Sequence, residues 1–352
     1  MPFLDDPSLR TSRDPSDMLG TVLAMPAQLR EAWQRSAAAP PPAPAAAPDH
    51  VVAVGMGGSA IAADLLAASL RGRLGLPFAV VRDGQLPAYV GRRSLVIATS
   101  YSGETGETLA AADAALHAGA RLVAITSGGR LAALAARHGT VLTVRGGLQP
   151  RAALAYLLAP MLAALAAWGM VPPVEPEVVE AADVLDAVVR DAAPEVPTGA
   201  NPAKDLAERW VDRIPAVYAG SPDVAPAARR WKTQLNENAK TLALWDTFPE
   251  LTHNEVVGWG LPEDLAGRLA AVVLLGGGEG AADLRRIRVT QETALRRAGN
   301  VSEVRARGDG ALARVLSLVL LGDLASVYLA YRRGIDPTPV AAIDAVKRGV
   351  LR

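Results

Sequence analysis

The sequence contains no cysteine, and histidine is almost as scarce, with four residues in a chain of 352: His50, His117, His138 and His253. The missing thiols exclude disulfide bonds, thiolate metal sites and a cysteine nucleophile. Because the four histidines form no HxH or HExxH pattern, a histidine-built metal centre is not expected. We therefore expect a protein that works without a metal or another cofactor.

The chain also lacks an excess of charge of either sign, since 36 Lys and Arg residues balance 36 Asp and Glu residues. A nucleic-acid or anionic-membrane partner needs a positively charged surface, and neither partner is expected here. Small anionic ligands need only local charge. The composition is therefore compatible with an anionic small-molecule ligand.

Membrane-targeting signals are weak. The first residues, MPFLDDPSLRTSRD, lack the apolar core of a signal peptide, which predicts a cytoplasmic location. Residues 152–171 form an uncharged run of about twenty residues, which is long enough to span a bilayer. Alanine dominates this run and Pro160 interrupts it, so the pattern favours a buried helix over a membrane span.

Short β-branched runs alternate with helical patterns along most of the chain, which is typical of parallel sheets covered by helices on both faces. We expect an α/β protein with two doubly wound domains. The predicted strands are Val51–Gly55, Pro77–Val81, Ser94–Ser100, Arg121–Ser127 and Thr140–Val144, then Ile214–Gly220, Ala270–Gly277 and Val301–Ala306. The predicted boundaries are an N-terminal helix and Ala/Pro-rich linker at 1–48, a first domain at 49–172, a connecting segment at 173–200, a second domain at 201–335 and a C-terminal helix at 336–352.

Two loops of small residues follow strands of the first domain. The first, GMGGSA, contains Gly57 and Gly58 and places Ser59 at a predicted helix N-cap. Glycines allow close approach of a ligand, and the helix N-terminus attracts anions. The same spacing fits the dinucleotide fingerprint GxGxxA, but the acidic residue expected at the end of the second strand is missing, since Asp83 comes later. A tight structural turn also explains this loop.

The second loop, SYSGET, brings three hydroxyls, from Ser100, Ser102 and Thr105, to the start of a helix. Such hydroxyls can bind phosphate oxygens, although capping and turn chemistry would use one or two of them. In an open parallel sheet both loops would lie at the carboxyl ends of strands, where ligands bind. The two loops together predict a phosphate-binding site.

Six blocks in order resemble the bifunctional phosphoglucose/phosphomannose isomerases, whose chains carry two sugar isomerase domains: GMGGSA, SYSGET, QPRAALAY, LNENAK, PELTHNE and DPTPVAAIDAVK. The resemblance covers nearly the whole chain. It implies an aldose–ketose isomerase that interconverts glucose 6-phosphate or mannose 6-phosphate with fructose 6-phosphate. It also implies two flavodoxin-like sugar isomerase domains with a C-terminal helical tail.

The chemistry of that reaction assigns candidate roles. Moving a carbonyl between C1 and C2 needs a base for a C–H proton, and Glu237, flanked by two amides, fits this role. Ring opening suits a histidine, and His253 matches the family motif. The resemblance further implies that Arg151 neutralises the enediolate and that Lys347 closes over the substrate. It implies a homodimer in which His253 reaches the site of the neighbouring subunit.

One position departs from the family pattern, because Val340 stands where the isomerases tend to carry a polar residue. A phosphosugar-binding protein that has lost catalysis, acting as a sensor or partner subunit, is the alternative from another class. A nicotinamide-dependent dehydrogenase that uses GMGGSA is a third. The preference between the glucose and mannose epimers is left open by the sequence.

Overall fold

The computed structural model describes residues 2–260 and 262–350, and in this part of the chain helices alternate with parallel strands. The strands are β1 (His50–Gly55), β2 (Phe78–Val81), β3 (Ser94–Thr99), β4 (Arg121–Thr126), β5 (Thr140–Thr143), β6 (Ile214–Ala219), β7 (Leu244–Thr247), β8 (Leu269–Leu275) and β9 (Asn300–Arg305). The helices are α1 (Ser8–Arg13), α2 (Met18–Leu23), α3 (Met25–Ala38), α4 (Gly57–Ser69), α5 (Gly106–His117), α6 (Gly129–His138), α7 (Leu154–Ala167), α8 (Glu175–Ala192), α9 (Pro202–Trp210), α10 (Ala225–Glu237), α11 (Glu255–Gly258), α12 (Glu263–Ala266), α13 (Ala281–Thr293), α14 (Ala311–Arg332) and α15 (Ala341–Val350). The last two residues of the C-terminal helix predicted at 336–352 lie outside the described residues.

The first sheet has the order β2-β1-β3-β4-β5 with all pairs parallel, and the second has the order β7-β6-β8-β9, also parallel. The central strands are almost completely buried because helices cover both faces of each sheet. This confirms the predicted α/β fold with two parallel sheets. The order of the second sheet corresponds to that of the first four strands of the first sheet, β2-β1-β3-β4, without a counterpart of β5.

The region after α10 differs from the prediction. The sequence predicted one helix over Ala225–Leu244, but α10 ends at Glu237 and Leu244 begins the edge strand β7, which was not predicted. Asn238 is the C-cap of this helix, and Lys240, two residues later, adopts a left-handed conformation with a φ of 51°. The residues that follow pair in parallel with β6.

The chain forms two compact units that are discontinuous in sequence. One comprises Met1–Leu23, Ala187–Ala306 and Leu318–Arg352, and the other comprises Ala24–Asp186 and Arg307–Ser317. In the second of these, α3 packs against α7, and the Trp168 indole donates a hydrogen bond to the Pro41 carbonyl. The Ala/Pro-rich segment is thus held to its own unit.

A buried lysine holds the N-terminal residues within the first unit. The ammonium of Lys204 is 1% exposed and donates to Asp5 Oδ1 at 3.0 Å and to the carbonyls of Pro194 and Val196. These three acceptors compensate for the burial of the charge. Thr198 also donates to Asp5 through its backbone and its hydroxyl. Burial opposes ionisation of the aspartate, but the bonds from Thr198 and Lys204 together lower its pKa.

Apolar helices lie in the interior. The predicted buried helix at 152–171 is observed as α7, with most of its side chains buried and Pro160 inside it. Among the described residues, α14 is long and apolar enough to cross a membrane, but 89% of its apolar window is buried in the protein. Such burial is typical of a core helix.

We predict that Gly322→Ala destabilises the protein. A Cβ at this position of α14 would lie closer than 3.0 Å to the indole of Trp231, which is fully buried and donates to the Leu318 carbonyl at 2.7 Å. Overpacking of this kind costs about 1–3 kcal/mol of unfolding free energy. Urea denaturation would measure the loss.

The matched control is Gly349→Ala, which adds a Cβ to a helix where no atom lies within 4 Å. This variant should keep or slightly raise stability, because alanine favours helices by about 1 kcal/mol over glycine. A Gly322→Ala protein as stable as the wild type would contradict the described packing of α10 against α14.

Candidate active site

The two small-residue loops meet at the carboxyl edge of the first sheet, because β1 and β3 are neighbours. The first loop differs from the prediction in one detail: α4 begins at Gly57, so Met56 is the N-cap and Ser59 lies buried in the first turn. The backbone of Gly57 has a φ of 51°, which glycine adopts without strain. Ser59 is therefore not the predicted N-cap residue.

The three predicted hydroxyls of the second loop lie together at the start of α5. Ser100 Oγ and Thr105 Oγ1 are 2.9 Å apart, and Thr105 is the N-cap of the helix. Ser100 Oγ also accepts a hydrogen bond from the Gly103 amide, and Ser102 Oγ accepts one from the Glu104 amide. The hydroxyls thus preorganise the loop whose backbone and side chains would face a ligand.

Arg151 is brought to the first loop. It lies in a 3-10 turn, Pro150–Ala152, and is 4% exposed. A Cβ on Gly58 would be 3.4 Å from the Arg151 Cα, so the start of α4 packs directly on this turn. The structure thus gathers the predicted phosphate loops and the predicted arginine in one unit.

Tyr101, which the sequence analysis did not single out, connects the second loop with the segment before Arg151. Its hydroxyl donates to the Arg145 carbonyl at 2.9 Å and accepts from the Leu148 amide at 3.0 Å. Burial raises the pKa of this tyrosine, so the hydroxyl stays a proton donor at neutral pH. The position of Tyr101 inside SYSGET was the signal that could have found it.

Glu237 lies at the C-terminal end of α10, on the wall of an open cleft of about 710 Å³ in the other unit. The residues that line this cleft are Thr233, Asn236, Glu237, Lys240, Thr241, Leu242, Pro339, Val340, Ala341, Ala342 and Ile343. The cleft therefore has the end of α10 on one side and the start of the C-terminal tail on the other. Val340, the position that departs from the family pattern, directly precedes α15 and contributes an apolar surface.

A buried polar network fastens α10 to α14. Arg230 and Asp323 are each 1% exposed in their side chains and form an ion pair with a 2.6 Å contact. Burial raises the pKa of Asp323, while the Arg230 charge and hydrogen bonds from Arg230 and Gln234 oppose the shift. The side-chain amide of Asn238, one turn beyond Gln234, donates to Ser326 Oγ at 2.9 Å. Residues 230, 234 and 238 form one stripe of the helix, so its end is fixed where Glu237 stands.

His253 and Lys347 are both exposed. His253 ends a 3-10 turn, Glu250–His253, and does not belong to the residues that line the Glu237 cleft. Lys347 lies in α15, seven residues beyond Val340. Of the predicted catalytic residues in this unit, only Glu237 lines the cleft itself.

Directly after His253 lies a cluster of acidic and aromatic side chains that the sequence analysis missed. The Tyr218 hydroxyl donates a hydrogen bond to Glu255 and accepts one from the Trp259 indole at 3.2 Å. Burial raises the pKa of Glu255, and the nearby Asp246, also hydrogen-bonded to it, raises it further, against the opposing bond from Tyr218. Asp246 is the direct neighbour of Tyr218 across the β6–β7 pair, a contact that appears only once β7 is known.

We predict a pH-dependent stability effect for Glu255→Gln. A raised carboxyl pKa means that the folded state binds the proton more tightly than the unfolded state, where the carboxyl titrates near 4.5. Wild-type stability should therefore fall relative to the glutamine variant as the pH rises from 4.5 through the raised pKa. Urea unfolding of both proteins from about pH 4.5 to about pH 8 measures the difference.

The control is Glu292→Gln, which removes a carboxylate at an exposed position on α13, and the change with pH should be larger for Glu255→Gln than for this variant. A Glu255→Gln difference that is constant with pH, or that changes in the opposite direction, would contradict the raised pKa of Glu255.

Comparison with known proteins identifies the family of both domains. The model of the bacterial phospho-glucose isomerase C-terminal SIS domain matches residues 199–350, and the SIS domain model matches residues 46–167. The bifunctional phosphoglucose/phosphomannose isomerase of Caldicellulosiruptor bescii is 38% identical, with 94% of this chain and 98% of that protein covered. The enzyme of the same name from Thermoplasma acidophilum is 33% identical, covering 86% and 89%.

Among solved structures, a hypothetical protein from Thermus thermophilus superposes with a TM-score of 0.74 at 18% identity, covering 97% of this chain and 92% of that chain. At this identity the likeness concerns the fold alone. The extent and identity of the sequence matches show that the chain belongs to the bifunctional phosphoglucose/phosphomannose isomerase family.

Proposed function

We propose that this protein interconverts glucose 6-phosphate and mannose 6-phosphate with fructose 6-phosphate by proton transfer through an enediolate. The curated relatives carry the names of both activities over most of this chain's length. The observation that carries the mechanism is Glu237, a carboxylate in an open cleft at the end of a helix fixed by buried contacts. A rigidly held carboxylate is the group that a proton-transfer isomerase requires.

The reaction divides into steps that the other residues can serve. The hydroxyls and amides of the two glycine-containing loops bind the phosphate, and the helix N-termini behind them favour its negative charge. The open-chain sugar then presents the C2 proton of an aldose, or a C1 proton of the ketose, to Glu237. Glu237 takes the proton, the C–H electron pair forms a C1–C2 double bond, and the carbonyl π electrons move to oxygen to give the enediolate. The hydroxyl proton of the other carbon passes to that oxygen, and the same carboxyl returns its proton to the neighbouring carbon as the new carbonyl forms.

Arg151 is proposed to stabilise the negative charge of the enediolate, as a guanidinium does for a developing oxyanion. His253 is proposed to move the proton between the ring oxygen and O1 during ring opening, since one ring nitrogen of an imidazole can donate a proton while the other accepts one. Lys347 is proposed to close over the bound sugar. Production of both epimers requires rotation of the enediolate so that the proton can return to either face of C2.

We predict that Glu237→Gln removes isomerase activity while the protein still folds and binds the phosphosugar. General-base catalysis contributes about 10²–10⁴-fold, so kcat should fall by at least two orders of magnitude with KM little changed. A coupled assay on chelator-treated protein would follow fructose 6-phosphate from each aldose. Glu292→Gln, an exposed glutamate of α13, is the matched control and should keep wild-type activity.

Activity that survives Glu237→Gln would refute the assignment of the base. Wild-type protein that binds both sugar phosphates by calorimetry but turns over neither would instead favour the alternative, a phosphosugar-binding protein without catalysis.

A separate experiment tests the proposed homodimer with shared sites. If His253 acts in the site of the partner subunit, Glu237→Gln and His253→Gln proteins should each be inactive alone. After unfolding and refolding as an equal mixture, half of the dimers would be mixed, and each mixed dimer would have one intact site of two. The mixture should therefore regain roughly a quarter of wild-type activity.

A mixture that stays as inactive as its components, although native mass spectrometry detects the mixed dimer, would contradict a site shared between subunits. Native mass spectrometry of a monomeric wild type with full activity would contradict it equally.

A further inference from the structure

Lys240, three residues after Glu237, has an unusual backbone. Among the described residues other than glycine, only Asp17 and Lys240 have a positive φ, and the φ of Lys240 is 51°. This left-handed conformation after a helix is usually taken by glycine, because a Cβ destabilises it. Lys240 thus keeps a backbone conformation that glycine would adopt with less strain.

The ammonium of Lys240 binds two separate segments. It donates to the Glu237 carbonyl at 2.7 Å and lies 3.4 Å from the Asn238 carbonyl, so it neutralises the exposed carbonyls at the end of α10. It also donates to the Pro337 carbonyl at 2.9 Å. Pro337 precedes α15 by a few residues.

These two segments are the two walls of the Glu237 cleft. The end of α10 contributes Glu237, and the segment after Pro337 contributes Pro339 to Ile343. The α10 wall is fixed, since Asn238 is anchored to Ser326 in α14. The tail wall is largely exposed, with every described side chain of α15 open to solvent. Lys240 is thus a direct link from the fixed wall to the exposed one.

We propose that Lys240 is a positioning residue that couples the C-terminal tail to the helix end bearing Glu237. The inference rests on the proposed function, in which Glu237 is the base. Lys240 acts through its hydrogen bonds to the two backbone segments and takes no proton from the substrate. Its ammonium sets the distance between the tail wall and the end of α10, and so the width of the cleft in which Glu237 lies.

Three substitutions of Lys240 separate this role from a structural one. Lys240→Gly removes the ammonium and relieves the left-handed backbone, so Tm should stay equal or rise by a few degrees while kcat falls roughly tenfold to hundredfold. Lys240→Met keeps the backbone demand and the aliphatic stem, and it should lose the same kcat with a Tm at or below that of the wild type. Lys240→Arg, which can still donate to carbonyls, should retain most of the activity.

Hydrogen–deuterium exchange of residues 336–349 supplies the readout for the tail. The Gly and Met variants should exchange faster there than the wild type, while exchange in α10 stays unchanged. Asp17→Gly is the matched control, because it makes the same backbone change at the other left-handed residue and should leave both kcat and tail exchange at wild-type values.

Wild-type kcat in the Gly and Met variants would overturn the proposal. A kcat loss without faster tail exchange, or one that follows a loss of Tm in both variants, would overturn it as well. Glu237→Gln in the same assay separates the two proposals. If that variant is inactive while Lys240→Gly is fully active, only the coupling fails, whereas an active Glu237→Gln removes the base itself.

Discussion

The buried contact between α10 and α14 is the constraint on which the catalytic side of this protein depends. Arg230 and Asp323 are both removed from water, and a charge buried without its partner is strongly destabilising, so the pair can form in only one register. Trp231 and Asn238 add hydrogen bonds to α14 on the same face of the helix. With that face fixed, the position of Glu237 on the flank beside it, in the wall of the cleft, is fixed as well. Rigidity of the base is therefore a consequence of packing that involves no ligand.

The sheets provide the second constraint. Because all strand pairs are parallel, every loop that follows a strand emerges at the same edge of its sheet. Two of these loops in the first sheet contain the glycines and hydroxyls, and the turn at Arg151 packs against one of them. Tyr101 then fixes the spacing of two loops with a single hydroxyl. The geometry of the proposed phosphate site is thus produced by topology first and by side chains second.

Much of the fold could be predicted from sequence because buried parallel strands are short β-branched runs, as in Val51–Gly55 and Ala270–Gly277. The edge strand β7 could not, since its side chains are largely exposed and its residues continue a helical pattern. The missing strand also concealed the pairing of Tyr218 with Asp246, and so the cluster of Tyr218, Asp246 and Glu255 in which the pKa of Glu255 is raised. The end of α10 at Glu237 was equally hidden, because the left-handed residue that follows it, Lys240, is not a residue type that signals a turn in the sequence.

The candidate site residues were found by motif, which identifies residue types and order but not their partners. Glu237 was predicted as the base, and that role stays a prediction; the structure adds that it lines a cleft. The sequence could not say that Asn238 donates to Ser326 or that Lys240 bridges to Pro337. Those contacts join residues far apart in the sequence, and only the folded chain brings them together.

The central claim is that a carboxylate moves a carbon-bound proton through an enediolate. Proton NMR of wild-type protein converting fructose 6-phosphate in D₂O tests it most directly, since a proton held on a carboxyl exchanges with solvent whereas a hydride passed between carbons does not. We expect deuterium at C2 of both the glucose 6-phosphate and the mannose 6-phosphate formed. Complete retention of protium at C2 throughout the conversion would contradict the account.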